Sequence, residues 1–144
     1  MKAVIQRVKR ASVKAGDQQA AIGPGMLVLV GLEAEDTEDT CAWAAAKIAS
    51  LRIFEDAGGK MNLGLEDVGG EILAISQFTL AGSVVKGRRP SFDRAMNPEA
   101  ARLLFRRFLE QLKAAHPRTK SGFFQEHMEV ELLNDGPVTF ILDR

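Results

Sequence analysis

Two short stretches place polar groups where their surroundings are apolar, and both could do chemistry. Ile72-Leu73-Ala74-Ile75 runs directly into Ser76-Gln77-Phe78-Thr79-Leu80, so a buried segment ends in hydroxyl and amide groups. A strand end of this kind can present donors to a substrate carbonyl, as an oxyanion hole does. It can equally be a strand leaving the core, its polar side chains meeting solvent or neighbouring backbone. The second stretch, Asn134-Asp135-Gly136-Pro137-Val138-Thr139, has the residue types of an ordinary tight turn. Conventional catalytic groups are scarce. His116 stands at a helix end before Pro117, and His127 falls on the outward phase of a strand, so neither is placed as the base of a Ser-His-Asp triad. Cys41 has no basic neighbour to lower its thiol pKa and reads as a small core filler. One cysteine and two histidines cannot build an ordinary zinc site, and no glycine-rich phosphate loop is present. The chemistry has to come from backbone, hydroxyls or the substrate itself.

Charge points to a partner. Nineteen basic residues balance nineteen acidic ones, yet residues 86–120 hold ten bases against Asp93, Glu99 and Glu110. That stretch carries +7 inside a neutral chain, a field that attracts phosphates. The same pattern also fits a solvated helix face laced with internal salt bridges.

The elements that must position these groups are legible in part. Residues 2–9 alternate, with Ala3 and Ile5 set against Lys2 and Gln6, and residues 18–22 form a second short run. Gly23-Pro24-Gly25 is turn chemistry, and Met26 to Leu32 reads as a buried strand. Asp36 or Thr37 caps a helix whose first turn holds Glu38 and Asp39 and whose apolar stripe is Cys41, Ala44, Ala45, Ile48 and Leu51. Residues 52–63 predict a hairpin around Gly58-Gly59, and Glu71 to Leu80 a β-rich run. A loop from Ala81 to Asn97 leads to a second helix, opened by Asn97-Pro98-Glu99 and stopped by Pro117. Leu104, Phe105, Phe108 and Leu112 form its apolar face, with Arg102, Arg106 and Lys113 on another. Met128, Val130 and Leu132 alternate with charges as a half-buried strand, and after the Asn134–Pro137 turn a last strand runs from Val138 to Leu142. The whole is an α+β domain, strand-rich with two main helices, over residues 1–144.

With 144 residues, 46% apolar and 26% charged, the chain reads as one soluble globular domain. Its longest apolar run, Met26 to Val30, is far short of the roughly 20 residues of a membrane span. The opening residues lack an export signal, and cysteine usage fits a reducing, cytoplasmic home.

In order along the chain, Met1-Lys2-Ala3-Val4-Ile5-Gln6-Arg7-Val8, Ile22-Gly23-Pro24-Gly25, Leu51 to Asp56, Gly59 to Leu63, Ser76 to Leu80, Lys86-Gly87-Arg88-Arg89-Pro90-Ser91-Phe92 and Asn134 to Thr139 resemble the D-aminoacyl-tRNA deacylases of the bacterial and eukaryotic type. The resemblance runs nearly end to end. It implies a barrel-like arrangement of mixed sheets and a homodimer with active sites at the subunit interface. It implies hydrolysis of the ester joining a D-amino acid to the 3′ adenosine of tRNA, with no metal or cofactor. Ser76, Gln77, Phe78 and Thr79 match the motif lining the pocket, where the Phe78 N–H would polarise the ester carbonyl. Gly136 and Pro137, joined by a cis bond in this family, match the element that enters the partner's pocket and screens chirality. Ala95 and Met128 fall where the family lines that pocket. Lys86, Arg88, Arg89, Arg102 and Arg106 are the expected phosphate contacts. Because chirality is screened by exclusion, glycyl-tRNA is expected to be cleaved as well.

Two departures fall at the pocket rim. Ala81 stands where the family often has tyrosine, and Phe124-Gln125-Glu126-His127-Met128 replaces the common Phe-Gly-Ala before the methionine-bearing strand. Two other readings compete with the esterase: a non-catalytic tRNA-binding module using residues 86–120, and a hydrolase of small D-amino acid esters with Thr79 as nucleophile.

Overall fold

A computed structural model describes residues 1–144. The chain runs β1 (Lys2–Ala15), β2 (Gln18–Ile22), β3 (Gly25–Gly31), α1 (Glu38–Ala49), β4 (Phe54–Glu55), β5 (Met61–Leu63), α2 (Leu65–Val68), β6 (Glu71–Ser76), a 3₁₀ turn (Phe78–Ala81), α3 (Pro98–Ala115), β7 (Thr119–Ser121) and β8 (Glu129–Asp143). The main sheet has the order β2-β1-β3-β6-β7, with β8 antiparallel to β1 on its other side. β3 pairs with β6 and β6 with β7 in parallel, so the sheet is mixed. β4 and β5 make the separate hairpin expected around Gly58-Gly59.

Two apolar clusters explain the sheet's curl. One face, with Ala3, Ile5, Met26, Val28, Val30, Ile72 and Ala74, is covered by Cys41, Ala44, Ala45 and Ile48 of α1 and Phe105, Phe108 and Leu112 of α3. The other face turns inward on Val8, Ala11, Val13, Ile22, Leu27, Leu73 and Ile75. A sheet that buries both faces, one of them against itself, closes towards a barrel. Lys120 helps close it: its Nζ donates to the Ala21 carbonyl at 2.6 Å and pairs with Glu71 at 3.2 Å. Glu71 in turn accepts from the Gly23 N–H at 2.8 Å.

Both main helices begin where capping chemistry places them. The Thr37 hydroxyl accepts from the Thr40 N–H, and the Asn97 side chain from the Glu99 N–H at 3.0 Å, with Pro98 at the first position. Cys41 is fully buried, and burial pushes its thiol up to about 11, which removes it as a nucleophile.

Three strands depart from the sequence pattern. β1 does not end near residue 9 but continues to Ala15, because Arg7 and Val8 are both buried and the alternation changes phase there. β6 stops at Ser76 instead of Leu80, where the chain tightens into the 3₁₀ turn, and the short helix α2 was not anticipated. Asn134–Pro137 is not a turn between two strands. It lies inside one continuous strand, where Asp135, Gly136, Pro137 and Val138 stand opposite Arg7 alone as a four-residue bulge. The Gly136–Pro137 bond is cis. No helix is long and apolar enough to cross a membrane.

Candidate functional site

A cavity of about 650 Å³ opens between the end of β6, the start of α3 and the chain leading into β8. Ser76, Gln77 and Phe78 form one wall, Phe92, Ala95, Met96 and Ala101 a second, and Phe124 to Met128 with Val130 a third. Four separate parts of the sequence meet here, Leu32 being the fourth, and its size suits a small ligand or the end of a larger one.

The Ser76–Phe78 wall is built from hydrogen-bond arithmetic. Ser76 is the last residue of β6, opposite Val30. The Gln77 N–H donates to the Val30 carbonyl at 2.7 Å, extending the parallel pairing by one residue. The chain then turns, and the first amides of a helical turn have no partner within it. The Leu80 N–H donates to the Gln77 carbonyl at 3.1 Å and the Gly82 N–H to the Thr79 carbonyl at 3.0 Å, so the Phe78 N–H, at the first position, has no acceptor within the turn. Phe78 itself lines the cavity. Gly31 makes this turn possible: a Cβ there would lie 2.7 Å from Leu80 Cβ and 2.9 Å from the Gln77 carbonyl.

Thr79 stands apart. It is not among the cavity-lining residues, and its hydroxyl accepts from Gln77 Nε2 at 2.6 Å. Its oxygen is thus bonded to Gln77, a residue that does line the cavity. Phe78 is 58% exposed and packs on Phe92 at the mouth with ring centroids 5.2 Å apart and ring planes tilted by 53°.

Ala95 and Met128 line the cavity, as expected. The Met128 sulfur accepts from the Phe123 N–H at 3.3 Å, fixing the start of the third wall. Gly136 and Pro137 do not reach this cavity; they are exposed on the bulge of β8. Arg7 holds that bulge. Its guanidinium donates to the carbonyls of Asp135 and Ile53, both at 2.8 Å, and pairs with Glu55 at 3.3 Å. Asn134 Nδ2 adds bonds to the carbonyls of Arg7 and Val138. The motifs alone did not reveal Arg7, although it falls on the buried phase of Ala3 and Ile5.

Of the ten bases between residues 86 and 120, only Arg94, Arg107 and Lys120 form ion pairs. The salt-bridged helix face therefore accounts for a minority of them. Lys86, Arg88 and Arg89 are exposed on a loop closed by the Ser83–Ser91 bridge, just before the mouth residue Phe92. Arg106 is exposed one turn along α3 from Arg102. Arg102 itself is engaged: its guanidinium lies 5.1 Å over the Phe124 ring and donates to the Gln125 side chain.

Neither histidine ring is hydrogen-bonded to a hydroxyl or thiol of the protein. His116 is buried, with Nδ1 3.0 Å from Glu66 and Nε2 3.0 Å from the Gly70 carbonyl, which ties α3 to α2 and the start of β6. His127 does not stand on the outward phase of a strand as the alternation predicts: β8 begins only at Glu129, and His127 lines the cavity in the segment before it. No three of His, Cys, Asp or Glu converge within reach of one metal ion.

Comparisons with known proteins identify a family and a fold for the chain. The family described as D-Tyr-tRNA(Tyr) deacylase matches residues 4–143. A D-aminoacyl-tRNA deacylase of Pelobacter propionicus is 57% identical and aligned over the whole of both chains. One from Symbiobacterium thermophilum is 53% identical over 99% of this chain and 95% of its own. A solved structure titled c-Myc DNA Unwinding Element Binding Protein superposes with a TM-score of 0.93 at 45% identity, covering 100% of this chain and 99% of the other.

Proposed function

The chain belongs to the D-Tyr-tRNA(Tyr) deacylase family, and on that premise we propose that it edits tRNA by hydrolysing the ester between a D-amino acid and the 3′ adenosine. One observation carries the mechanism: Phe78, whose N–H has no acceptor within its own turn, lines a cavity where no histidine is hydrogen-bonded to a hydroxyl or thiol.

Water attacks the ester carbonyl carbon, and the carbonyl oxygen gathers charge towards the Phe78 N–H. The C–O bond to the 3′ oxygen then breaks, and that oxygen takes a proton. The products are a free D-amino acid and tRNA with its 3′ hydroxyl restored. The neighbouring 2′-hydroxyl of the adenosine is held beside the reacting carbon and assists the water, so the substrate supplies what the side chains do not. Ser76 and Gln77 shape the wall and position the ester.

Chirality is assigned to Gly136 and Pro137 acting on a second copy. Their exposure, their distance from their own cavity, and the unpaired outer edge of β8 with exposed Leu133, Phe140 and Ile141 support a homodimer joined along this face. Backbone entering the partner's cavity would leave room for hydrogen but not a side chain on one side of the substrate Cα. L-residues are excluded, D-residues are admitted without a grip on any one side chain, and glycine passes. Lys86, Arg88, Arg89 and Arg106, with Arg102 at the rim, meet the phosphates of the acceptor end. The enzyme then works where tRNA is charged, in the cytoplasm.

A panel of D-, L- and glycyl-tRNAs tests this reading. Release from D-aminoacyl-tRNA and glycyl-tRNA, with L-aminoacyl-tRNA intact, supports it. Binding of tRNA without release of any amino acid identifies a non-catalytic module instead. A terminal 2′-deoxyadenosine should lower the rate by about a hundredfold or more if the substrate hydroxyl assists.

A further inference from the structure

The loop between the 3₁₀ turn and α3 carries two side chains that the fold does not use. Val84 and Val85 are 75% and 87% exposed, and neither belongs to either apolar cluster. A single exposed apolar residue is ordinary on a protein surface. Here two stand side by side, and Lys86, Arg88 and Arg89 follow directly. None of these three cations takes part in a salt bridge. Apolar surface beside unpaired positive charge suits a partner that offers both flat apolar faces and anionic groups.

The loop is built onto the mouth of the cavity. The Gly82 N–H donates to the Thr79 carbonyl at 3.0 Å, so the loop departs from the same turn that carries Phe78. Ser83 and Ser91 exchange backbone hydrogen bonds of 2.8 and 2.9 Å, which close its base. Phe92 comes next in the chain and packs on Phe78 at the mouth. Gly87 has φ +71°, which turns the chain within the loop in a conformation that side-chain-bearing residues rarely adopt. The valines and the cations therefore share one short tip, and both ends of that tip are anchored at cavity-lining residues.

An ester held in the cavity brings the last nucleotides of its tRNA past this loop. Those nucleotides are unpaired, so each can offer an apolar base face as well as a phosphate. Resting on the deacylase reading above, and naming the part of the tRNA that it engages, we propose that Val84 and Val85 pack against bases of the unpaired 3′ end. Lys86, Arg88 and Arg89 hold the adjoining phosphates. Three cations on one tip repel the same tip of a second copy and attract a polyanion. A lipid surface shares that attraction but does not explain why the tip is anchored at the cavity mouth. The two halves of the contact respond differently to salt. Phosphate contacts release counterions and weaken as salt rises, whereas apolar packing releases none.

The test measures binding of uncharged tRNA to the full-length protein, using tRNA with its 3′ end intact and tRNA trimmed to the end of the acceptor stem. Val84→Ser combined with Val85→Ser should weaken binding of intact tRNA about tenfold. The slope of log K against log salt should stay as it was, and binding of trimmed tRNA should not change. Val84→Leu combined with Val85→Leu keeps the apolar surface and should bind intact tRNA as the unaltered protein does. Equal losses on both tRNAs, a shallower slope or no loss on either overturns the proposal. Vesicles of phosphatidylglycerol and sedimentation equilibrium form two further arms. Vesicle binding or self-association that the serine variant loses, with tRNA affinity unchanged, assigns the pair to a lipid surface or a second copy and also overturns it. Matching thermal melts establish that the variants fold. The expected binding pattern without release of any D-amino acid would refute the deacylase reading and leave the base contact standing.

Discussion

Arg7 Nε donates to the carbonyl oxygen of Asp135 at 2.8 Å, so a buried side chain of β1 fixes the residue immediately before Gly136. The same guanidinium reaches Ile53 and Glu55 on the far side. Its planar fork is what allows three directions to be served at once. Arg7→Lys should cost about 2–3 kcal/mol of stability, since a buried carbonyl loses its donor. Deacylation should fall more than tenfold under conditions where the variant is fully folded. Denaturant titration and single-turnover kinetics on one preparation check both halves.

Gly31→Ala should damage the site without touching the cavity. The added methyl would lie under 3 Å from Leu80 Cβ and the Gln77 carbonyl, so the 3₁₀ turn must move. Overpacking of this kind costs about 1–3 kcal/mol. A displacement near 1 Å at the Phe78 N–H should lower the rate by about a hundredfold. The expected signature is a fall in kcat larger than any change in KM.

Thr79→Ala should keep most of the activity, within about threefold, because its hydroxyl serves Gln77 and not the cavity. Mass spectrometry of a quenched reaction should find no acyl group on Thr79. A stable acyl-threonine would reinstate the nucleophile and refute the water mechanism.

Removing Arg88 and Arg89 together should weaken tRNA binding through the salt-dependent part of the affinity. Neither is ion-paired within the chain, so both are free to replace counterions on phosphate. The slope of log K against log salt should shallow by about one to two. An unchanged slope would mark the loop as solvated surface.

Glu71 links β2, β6 and β7, and the Gly23 N–H, with Lys120 beside it, holds its carboxyl below the usual carboxylate range. A depressed folded-state pKa contributes stability above the ordinary value, and that contribution is lost as pH falls through the depressed one. Glu71→Gln should therefore destabilise the protein by about 1 kcal/mol at neutral pH. The difference should vanish in acid. Melting temperatures of both proteins from pH 7 down to about 2 test the sign.

The parts of the fold legible in the sequence are those whose causes lie close together in it. Thr37 and the Asn97-Pro98-Glu99 cap announce α1 and α3, and the apolar stripes follow within a few turns. The long strands were harder to read because their irregularities interrupt the period on which the reading depends. Arg7 and Val8 are buried in succession, so alternation over β1 breaks where the strand continues. Turn residues at Asn134–Pro137 disguised a bulge as a strand end, since pairing with β1 is a contact between distant residues. Ser76 to Phe78 stood out as polar residues after a buried run, and Ala95 and Met128 followed from resemblance. The convergence of Leu32, Phe124 and Gln125 on the same cavity is a product of tertiary packing, which local pattern does not encode. Arg7 did leave a trace, as a charge on the apolar phase of its strand.

The donor role proposed for Phe78 belongs to the main chain, and that changes which inherited substitutions could silence the protein. Any amino acid except proline supplies the same N–H, so the codon for residue 78 can drift while its amide remains. Vulnerability moves to the positions that aim it. Gly31 has no side chain to alter and space for none, so nearly every missense change there enlarges it into the turn. Damaging variants should therefore gather beneath the site, in residues that never meet the substrate.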